Sequence, residues 1–433
     1  MNEMMVGVIG LFALLFMFLI GFEIAFAMVT VGFVGFAILN DFNTAVSLLA
    51  NDFFESLSSY SMTAVPLFVL MGQIAFNAGI ARNLYSATNK FLGHVPGGLA
   101  VATVVGATVF KAICGSVVAT VATFASVAIP EMDRYGYAKR LSSGIVATVG
   151  VLGVLLPPSV TLIIFGIITQ QSIGMLFMAG IFPGLLMSFF FVVTIFMWCR
   201  VDPSLGPRSE KVSWTERWKS TPAVIWPIVI FLILIVGLMF GVFTPTEAGS
   251  MGAFAVLALC FLKRDIGVRG FAKSVQEALR TSCMVLMLIA CSTVLGHFIA
   301  VTNIPSAVAE WTVALTVPKT ITLIVIFIIY LLGGSFIDDL AFAILATPIF
   351  FPIILRLGYD PLWTIIILAC TTCIGGVIPP VATCVFVVKN ITKQPMNVIY
   401  TGVLPFLIAM VLCMVLLFIF PGLATYLPYH FMK

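Results

Sequence analysis

Charged residues are scarce in this sequence of 433 residues. Asp, Glu, Lys and Arg make up 9% of it, whereas 61% is hydrophobic. A soluble domain carries about 25% charged residues, so the composition excludes a water-soluble protein. Alternation of apolar and polar residues is also missing, which excludes a β-barrel. Apolar stretches of about twenty residues recur instead, each long enough to cross a hydrocarbon core of about 30 Å. The sequence therefore predicts an all-α polytopic membrane protein.

Enzyme motifs are absent as well. The sequence contains no HExxH, no GxSxG and no Walker-type P-loop, so neither an enzyme nor an ATP-driven pump is predicted. No cofactor and no nucleic-acid partner are expected. The pair Cys370 and Cys373 has redox-motif spacing but lies within a predicted span, where helix packing is the favoured role. The N-terminus lacks the basic region and cleavage site of a signal peptide, so its first apolar stretch is predicted to be a retained transmembrane helix.

The sequence also contains an internal repeat. "IPEMDRYGY" (129–137) and "FPIILRLGY" (351–359) match at four positions with an offset of 222 residues. The same offset relates Gly153, Pro157, Pro158, Thr161, Gly180 and Pro183 to Gly375, Pro379, Pro380, Thr383, Gly402 and Pro405. Upstream, Glu23 and Gly72 match Glu247 and Gly296, and "CGSVVAT" (114–120) corresponds to "GGSFIDD" (333–339). The matches predict two halves, 1–200 and 223–433, joined by a cytoplasmic linker, 201–222.

The first half is predicted to cross the membrane an odd number of times. Its full spans are expected near 4–20, 22–40, 62–79, 138–170 and 175–199. The stretch 97–130 has two short apolar arms around Gly115 and Ser116, which is typical of a re-entrant hairpin. A hairpin adds no crossing, so the second half starts from the opposite side and the repeat is inverted. The corresponding hairpin and broken helix of the second half are expected at 321–352 and 362–392.

Charge placement predicts the orientation. With the N-terminus outside, seventeen of the 21 Lys and Arg residues fall on the cytoplasmic side, as the positive-inside rule requires. Lys319, Arg356 and Lys433 fall outside, and Lys111 lies within a hairpin arm. Both termini are therefore predicted to be external. The first hairpin enters from the cytoplasm and the second from outside.

The paired prolines are predicted to break two of the helices. A proline inside a helix removes a backbone hydrogen bond, and the carbonyls freed in a membrane need other partners. A simple kink is the alternative. However, the pairs are doubled, repeated and followed by the hydroxyls of Ser159, Thr161 and Thr383, which favours unwinding. Unwound carbonyls and hydroxyls suit Na⁺, and the positive ends of half-helices suit an anionic substrate.

The hairpin tips lead to the same prediction. Gly115–Ser116 and Gly334–Ser335 allow tight turns, and each tip is expected to meet the break of its own half. A packing turn without a ligand is the alternative. Asp338 and Asp339 follow the second tip, where a carboxylate either binds a cation or lies solvated in a vestibule.

The other polar residues are given mainly structural roles. Glu23 and Glu247 are expected at helix junctions, His94 and His430 in loops, and Arg134 and Arg356 at the feet of the hairpins. His297 is alone in a span, where a proton relay is an alternative role that no predicted partner supports.

The proline-pair segments "GVLLPPS" and "GGVIPP", with "CGSVVATVATFASVAIPEMDRYGY" and "PLFVLMGQIAFNAGIA", resemble the large membrane subunit of tripartite ATP-independent periplasmic (TRAP) transporters. The resemblance covers nearly the whole chain and extends to the wider ion-transporter superfamily. It implies a Na⁺-coupled secondary importer of organic acids, such as C4-dicarboxylates or sialic acid, with an elevator-type fold in the bacterial inner membrane. It also implies two separate partners: a small four-helix membrane subunit and a soluble periplasmic substrate-binding protein.

Motif by motif, the resemblance assigns the candidate site residues. Those for Na⁺ are Gly115, Ser116, Pro157, Ser159, Gly334, Ser335, Asp338, Gly376, Pro379 and Thr383. Those for a carboxylate substrate are Ser116, Pro158, Ser159, Thr161, Ser335, Pro380 and Thr383. A stand-alone sodium–carboxylate symporter of the same superfamily is the alternative, followed by an ion channel and, more distantly, an intramembrane enzyme.

Overall fold

The structure is a computed structural model that describes residues 3–209, 211–307, 310 and 318–432, and its regular elements are helices. Those of the first half are α1 (Glu3–Leu19), α2 (Ile24–Leu39), α3 (Phe42–Ser58), α4 (Ala64–Asn77), α5 (Ile80–Leu92), α6 (Gly98–Lys111), α7 (Val117–Arg134), α8 (Lys139–Val149), α9 (Leu152–Leu155), α10 (Val160–Thr169) and α11 (Ile173–Val201). Those that follow are α12 (Trp214–Ser220), α13 (Pro222–Met239), α14 (Pro245–Leu262), α15 (Val268–Val301), α16 (Lys319–Phe336), α17 (Asp339–Arg356), α18 (Pro361–Gly375), α19 (Thr383–Thr392), α20 (Met396–Ile419) and α21 (Gly422–Phe431).

The helices are those of a multi-pass membrane protein. Among the described residues, eight helices are long and apolar enough to cross a bilayer, or nine if the bent run from α8 to α10 forms one span. Helices α1 and α2 are apolar but have only 17 and 16 residues, near the lower limit for a full crossing. The predicted all-helical membrane fold is confirmed.

The first hairpin has its turn at the predicted place. Helix α6 ends at Lys111 and α7 begins at Val117, so the turn contains Gly115 and Ser116. Ser116 caps α7, because its hydroxyl accepts a hydrogen bond of 3.3 Å from the backbone N–H of Ala119. This cap satisfies one of the free N–H groups with which every helix begins.

The second hairpin turns later than predicted. Gly334 and Ser335 lie in the last turn of α16, and the turn itself is formed by Ile337 and Asp338. The prediction was wrong because helical hydrogen bonding continues past the glycines: the Ile337 N–H donates to the Gly333 carbonyl at 3.0 Å. The Ser335 hydroxyl also donates back into the helix, to the carbonyl of Leu332 at 2.7 Å.

Both proline pairs interrupt helices as predicted. Pro157–Pro158 lies between α9 and α10, where the chain bends by 40°. Pro379–Pro380 lies between α18 and α19. Both Pro–Pro peptide bonds are cis.

The helices that were not predicted include α3 and α12. Helix α3 follows the second predicted span, and Asp41 caps it by accepting a hydrogen bond of 2.9 Å from the Thr44 N–H. Helix α12 lies within the predicted linker 201–222 and is capped by Ser213. Both carry polar residues among their apolar ones, so a search for uniformly apolar runs does not detect them.

The broken helices lie at the centre of the packing. Every residue of α18 after Pro361 is buried, as is every residue of α8 from Leu141 onward. Gly144 of α8 lies against the backbone of Gly402 in α20, with no room for a side chain between them. Small residues allow this close helix contact inside a membrane. The helices that lead into the two breaks, α8 and α18, are therefore packed among other helices.

Candidate functional site

The first tip contacts the first break. A methyl group on Gly115 would lie 2.8 Å from the carbonyl oxygen of Pro158 and 3.1 Å from the nitrogen of Val160. Only a glycine therefore permits this approach. Ser159 is fully buried and caps α10, accepting a hydrogen bond of 3.3 Å from the N–H of Leu162. The predicted residues Gly115, Pro158 and Ser159 thus come together.

The second tip contacts the second break in a similar way. The backbone N–H of Val381 donates a hydrogen bond of 3.1 Å to the carbonyl of Ser335. Gly334 lies against the carbonyl of Thr372, and a methyl group on Gly376 would lie 3.4 Å from the Thr383 hydroxyl. Pro379 and Pro380 are exposed, whereas Pro157 and Pro158 are buried.

A cavity of about 410 Å³ lies between the two tips. Of the predicted site residues, Gly115, Ser116, Thr161 and Asp338 line it. Its wall does not include Pro157, Pro158, Ser159, Gly334, Ser335, Gly376, Pro379, Pro380 or Thr383. These nine residues lie at or beside the tip–break contacts instead. The predicted Na⁺ and substrate residues therefore fall into two groups. Some line the cavity, and the others lie where each hairpin tip contacts its break; we call these two contacts the first and second junctions.

The two aspartates of the second tip have different surroundings. Both line the cavity, but Asp338 is half-buried and Asp339 is only 6% exposed. Asp339 Oδ2 lies 3.5 Å from Sγ of Cys373, a thiol donor on α18. Asp339 therefore ties the tip to a broken helix, whereas Asp338 is the more exposed of the two carboxylates at the cavity.

The opposite wall of the cavity was not predicted. Gln73 of α4 and Glu277 and Thr281 of α15 contribute its polar groups. The Asn77 amide donates to Glu277 Oε2 at 2.9 Å and so holds this carboxylate in place. The only signal for this wall in the sequence was Glu277 itself, which lies among basic residues. Such a pattern is usual for the solvated end of a helix.

Lys111 is the most unusual residue of the first junction. Its side chain is fully buried, and its Nζ donates a hydrogen bond of 2.6 Å to the carbonyl of Ser116. The ammonium also lies against Gly153, where any Cβ would overlap it. Lys111 thus places a positive charge between the first tip and the first break. Its position in an apolar hairpin arm was noted in the sequence, but no role was assigned to it.

A second polar site lies beside a cavity of about 520 Å³ lined by residues of α3, α10, α15 and α17. His297, which also lines it, was predicted to lack a partner, and this was wrong. Its Nδ1 lies 2.8 Å from Oδ2 of Asp52, whose side chain is 5% exposed. Asp52 belongs to α3, the helix that the sequence patterns did not predict, so its pairing with His297 was not foreseen either.

Hairpin tips and broken helices around a central cavity, in a multi-pass helical protein, define a membrane transporter. The chain belongs to the family described as "Tripartite ATP-independent periplasmic transporter, DctM component", whose model matches residues 9–423. The family resemblance seen in the sequence motifs is thereby confirmed. The relatives reported next are transporter permeases, so the prediction that the chain is not an enzyme is also confirmed.

Relatives with different substrates in their names cover nearly the whole chain. The C4-dicarboxylate TRAP transporter large permease protein DctM of Pseudomonas aeruginosa is 33% identical over 89% of this chain and 90% of its own. The sialic acid TRAP transporter large permease protein SiaM of Vibrio cholerae is 28% identical over 99% of both. The isethionate permease DctMQ of Oleidesulfovibrio alaskensis is 34% identical over 88% of this chain and 59% of its own.

The fold also resembles a solved structure. The crystal structure of the YdaH transporter of Alcanivorax borkumensis superimposes with a TM-score of 0.59, covering 88% of this chain and 89% of that one. The sequences are 14% identical, so the likeness concerns the fold alone. This chain is therefore a large permease of the TRAP type on a fold shared with a distant transporter.

Proposed function

We propose that this permease is the transport subunit of a Na⁺-coupled secondary importer of organic acids. The family description specifies a tripartite, ATP-independent transporter, so an ion gradient is the natural energy source. Relatives named for C4-dicarboxylate, sialic acid and isethionate all act on organic anions. The proposed partners are a small four-helix membrane subunit and a periplasmic binding protein that delivers the substrate.

The observation that carries the proposal is the cavity between the two tips. Ser116 and Thr161, which carry hydroxyls, and Asp338 and Asp339, which carry carboxylates, all line this cavity. The substrate carboxylate is placed near Ser116, at the start of α7, and near Thr161, at the start of α10, because the positive ends of helices attract anions. The coupling Na⁺ is placed on the opposite side, near Asp338.

The ligands of this Na⁺ are proposed to be oxygen atoms of the second junction. Na⁺ is a hard cation, and hard cations take carboxylate, carbonyl and hydroxyl oxygens. Ser335, Gly376 and Thr383 lie together where the second tip meets its break. Asp338 adds a negative charge next to this junction, which lowers the electrostatic penalty for a cation at membrane depth.

The proposed mechanism is an elevator motion of the hairpins and broken helices within an inverted repeat. The location is proposed to be the bacterial inner membrane, with both termini periplasmic. The distribution of Lys and Arg along the chain supports this orientation. The close contact of Gly144 in α8 with Gly402 in α20 supports movement of α20 together with the first broken helix.

Reconstitution in liposomes tests the proposal. The permease is assayed together with a small subunit and a binding protein of the same transporter, with radiolabelled succinate and sialic acid, under Na⁺ or choline gradients. Uptake should require an inward Na⁺ gradient and the binding protein. Uptake at the full rate without the binding protein would favour a stand-alone symporter. Uptake at the full rate in a choline gradient would contradict the proposed Na⁺ coupling.

A further inference from the structure

The ammonium of Lys111 lies between the first hairpin tip and the first break. It donates to the Ser116 carbonyl at the hairpin tip, at 2.6 Å. It also lies against Gly153, just before the proline pair. Any side chain at residue 153 would overlap it, so the glycine provides the space for this charge. A fully buried lysine inside a membrane is costly, so its charge is expected to have a role.

The second repeat has no equivalent of this lysine. In the alignment of "CGSVVAT" with "GGSFIDD", Lys111 corresponds to Tyr330, 219 residues later. The Tyr330 hydroxyl donates to Thr347 at 3.2 Å, within its own hairpin and away from the break. Among the described residues at the second junction, the partner of the Ser335 carbonyl is a backbone N–H, that of Val381.

We infer that Lys111 is a tethered cation that replaces one coupling Na⁺ in the first repeat. The inference rests on the proposed Na⁺ coupling and restricts it to the second junction. A lysine ammonium and a Na⁺ ion carry the same charge, and both bind carbonyl oxygens. The ammonium cannot leave with the substrate, so the chain binds one Na⁺ fewer than two matched repeats would provide.

Removing the side chain is expected to restore the missing ion site. In Lys111→Ala, the space between Ser116 and Gly153 becomes free for a Na⁺ ion. The probe is Na⁺ alone: Tm of the purified full chain in lipid nanodiscs is measured against NaCl, with choline chloride keeping the ionic strength constant. Above the dissociation constant, the stabilisation rises with the logarithm of the Na⁺ concentration, and the slope of this rise is proportional to the number of ions bound. The slope for Lys111→Ala should therefore be about twice that of wild type.

Three variants serve as controls. Lys111→Arg keeps a cation at the junction, and Lys111→Met fills the same space without charge; both should keep the wild-type slope. Lys319→Ala removes another ammonium that donates to a backbone carbonyl, that of Leu357 at 3.2 Å. This second lysine lies at the start of α16, outside both junctions, so its loss should leave the slope unchanged.

The outcomes separate this inference from the proposed function. No Na⁺-dependent rise of Tm in wild type would contradict Na⁺ coupling as a whole. A rise in wild type with an unchanged slope in folded Lys111→Ala would overturn only the role of Lys111. If Lys111→Ala does not fold, equilibrium binding of radioactive Na⁺ to wild type decides: one ion per chain supports the inference, and two ions contradict it.

Discussion

The backbone N–H of Val381 donates a hydrogen bond to the carbonyl of Ser335. It joins the second hairpin tip to the unwound segment after Pro380, and so links the two parts of the proposed Na⁺ site. Thr383 is the first residue of the next helix, and its hydroxyl lies beside this contact. It is a proposed neutral oxygen ligand that a single substitution removes.

Thr383→Val should therefore weaken Na⁺ binding. We expect the Na⁺ concentration that gives half of the Tm rise to increase about tenfold, the effect of losing roughly 1.4 kcal/mol. Thr392→Val is the matched control, since Thr392 lies at the other end of α19 and its hydroxyl donates to the Val388 carbonyl at 2.8 Å. Equal shifts in both variants would exclude Thr383 as a ligand.

The two aspartates of the second tip should respond differently to neutralisation. Asp338→Asn removes the carboxylate assigned to the cation, so the half-maximal Na⁺ concentration should rise at least about tenfold. Asp339→Asn weakens the contact with Cys373, so Tm in choline should fall while the Na⁺ dependence stays near wild type. A larger Na⁺ effect for Asp339→Asn would reverse the assignment.

The pair between Asp52 and His297 should contribute to stability. His297→Ala leaves a carboxylate that is 5% exposed without its partner, and an unsatisfied buried charged group costs about 1–3 kcal/mol or more. Tm should fall clearly. Asp52→Asn in the same background should then have a smaller effect than in wild type. Additive effects in this double-mutant cycle would mean that the two side chains do not interact.

The contact between α8 and α20 should tolerate no added methyl group. In Gly402→Ala the new Cβ would overlap the carbonyl oxygen of Arg140. We expect a loss of about 1–3 kcal/mol, as for other overpacked sites, and a lower Tm. Gly422→Ala is the control, because a Cβ there has no atom within 4 Å among the described residues. A Tm for Gly402→Ala equal to that of the control would show that the helices can separate.

Cysteine labelling in whole cells tests the orientation. Asn43 and Lys211 are both exposed, and the proposed topology places them on opposite sides of the membrane. A membrane-impermeant maleimide should modify Asn43→Cys in intact cells, and Lys211→Cys only after permeabilisation. The reverse pattern would place both termini in the cytoplasm.

Patterns along the chain were sufficient to predict the membrane fold. Apolar runs determine the spans because a bilayer core satisfies no backbone polar group, and helices satisfy their own. Pro157–Pro158 and Pro379–Pro380 determine the breaks because a proline cannot donate the helical hydrogen bond. The turn at Gly115 and Ser116, and the family itself, were also predicted from local motifs.

Only the tertiary structure decided which residues distant in the sequence meet. Lys111 lies against Gly153, and Asp52 against His297, because helix packing joins residues that are far apart in sequence. The later turn of the second hairpin, at Asp338, depends on hydrogen bonds that continue past Gly334 and Ser335. Local patterns indicate where a membrane helix must break. The side chains that surround the break depend on the helices packed around it.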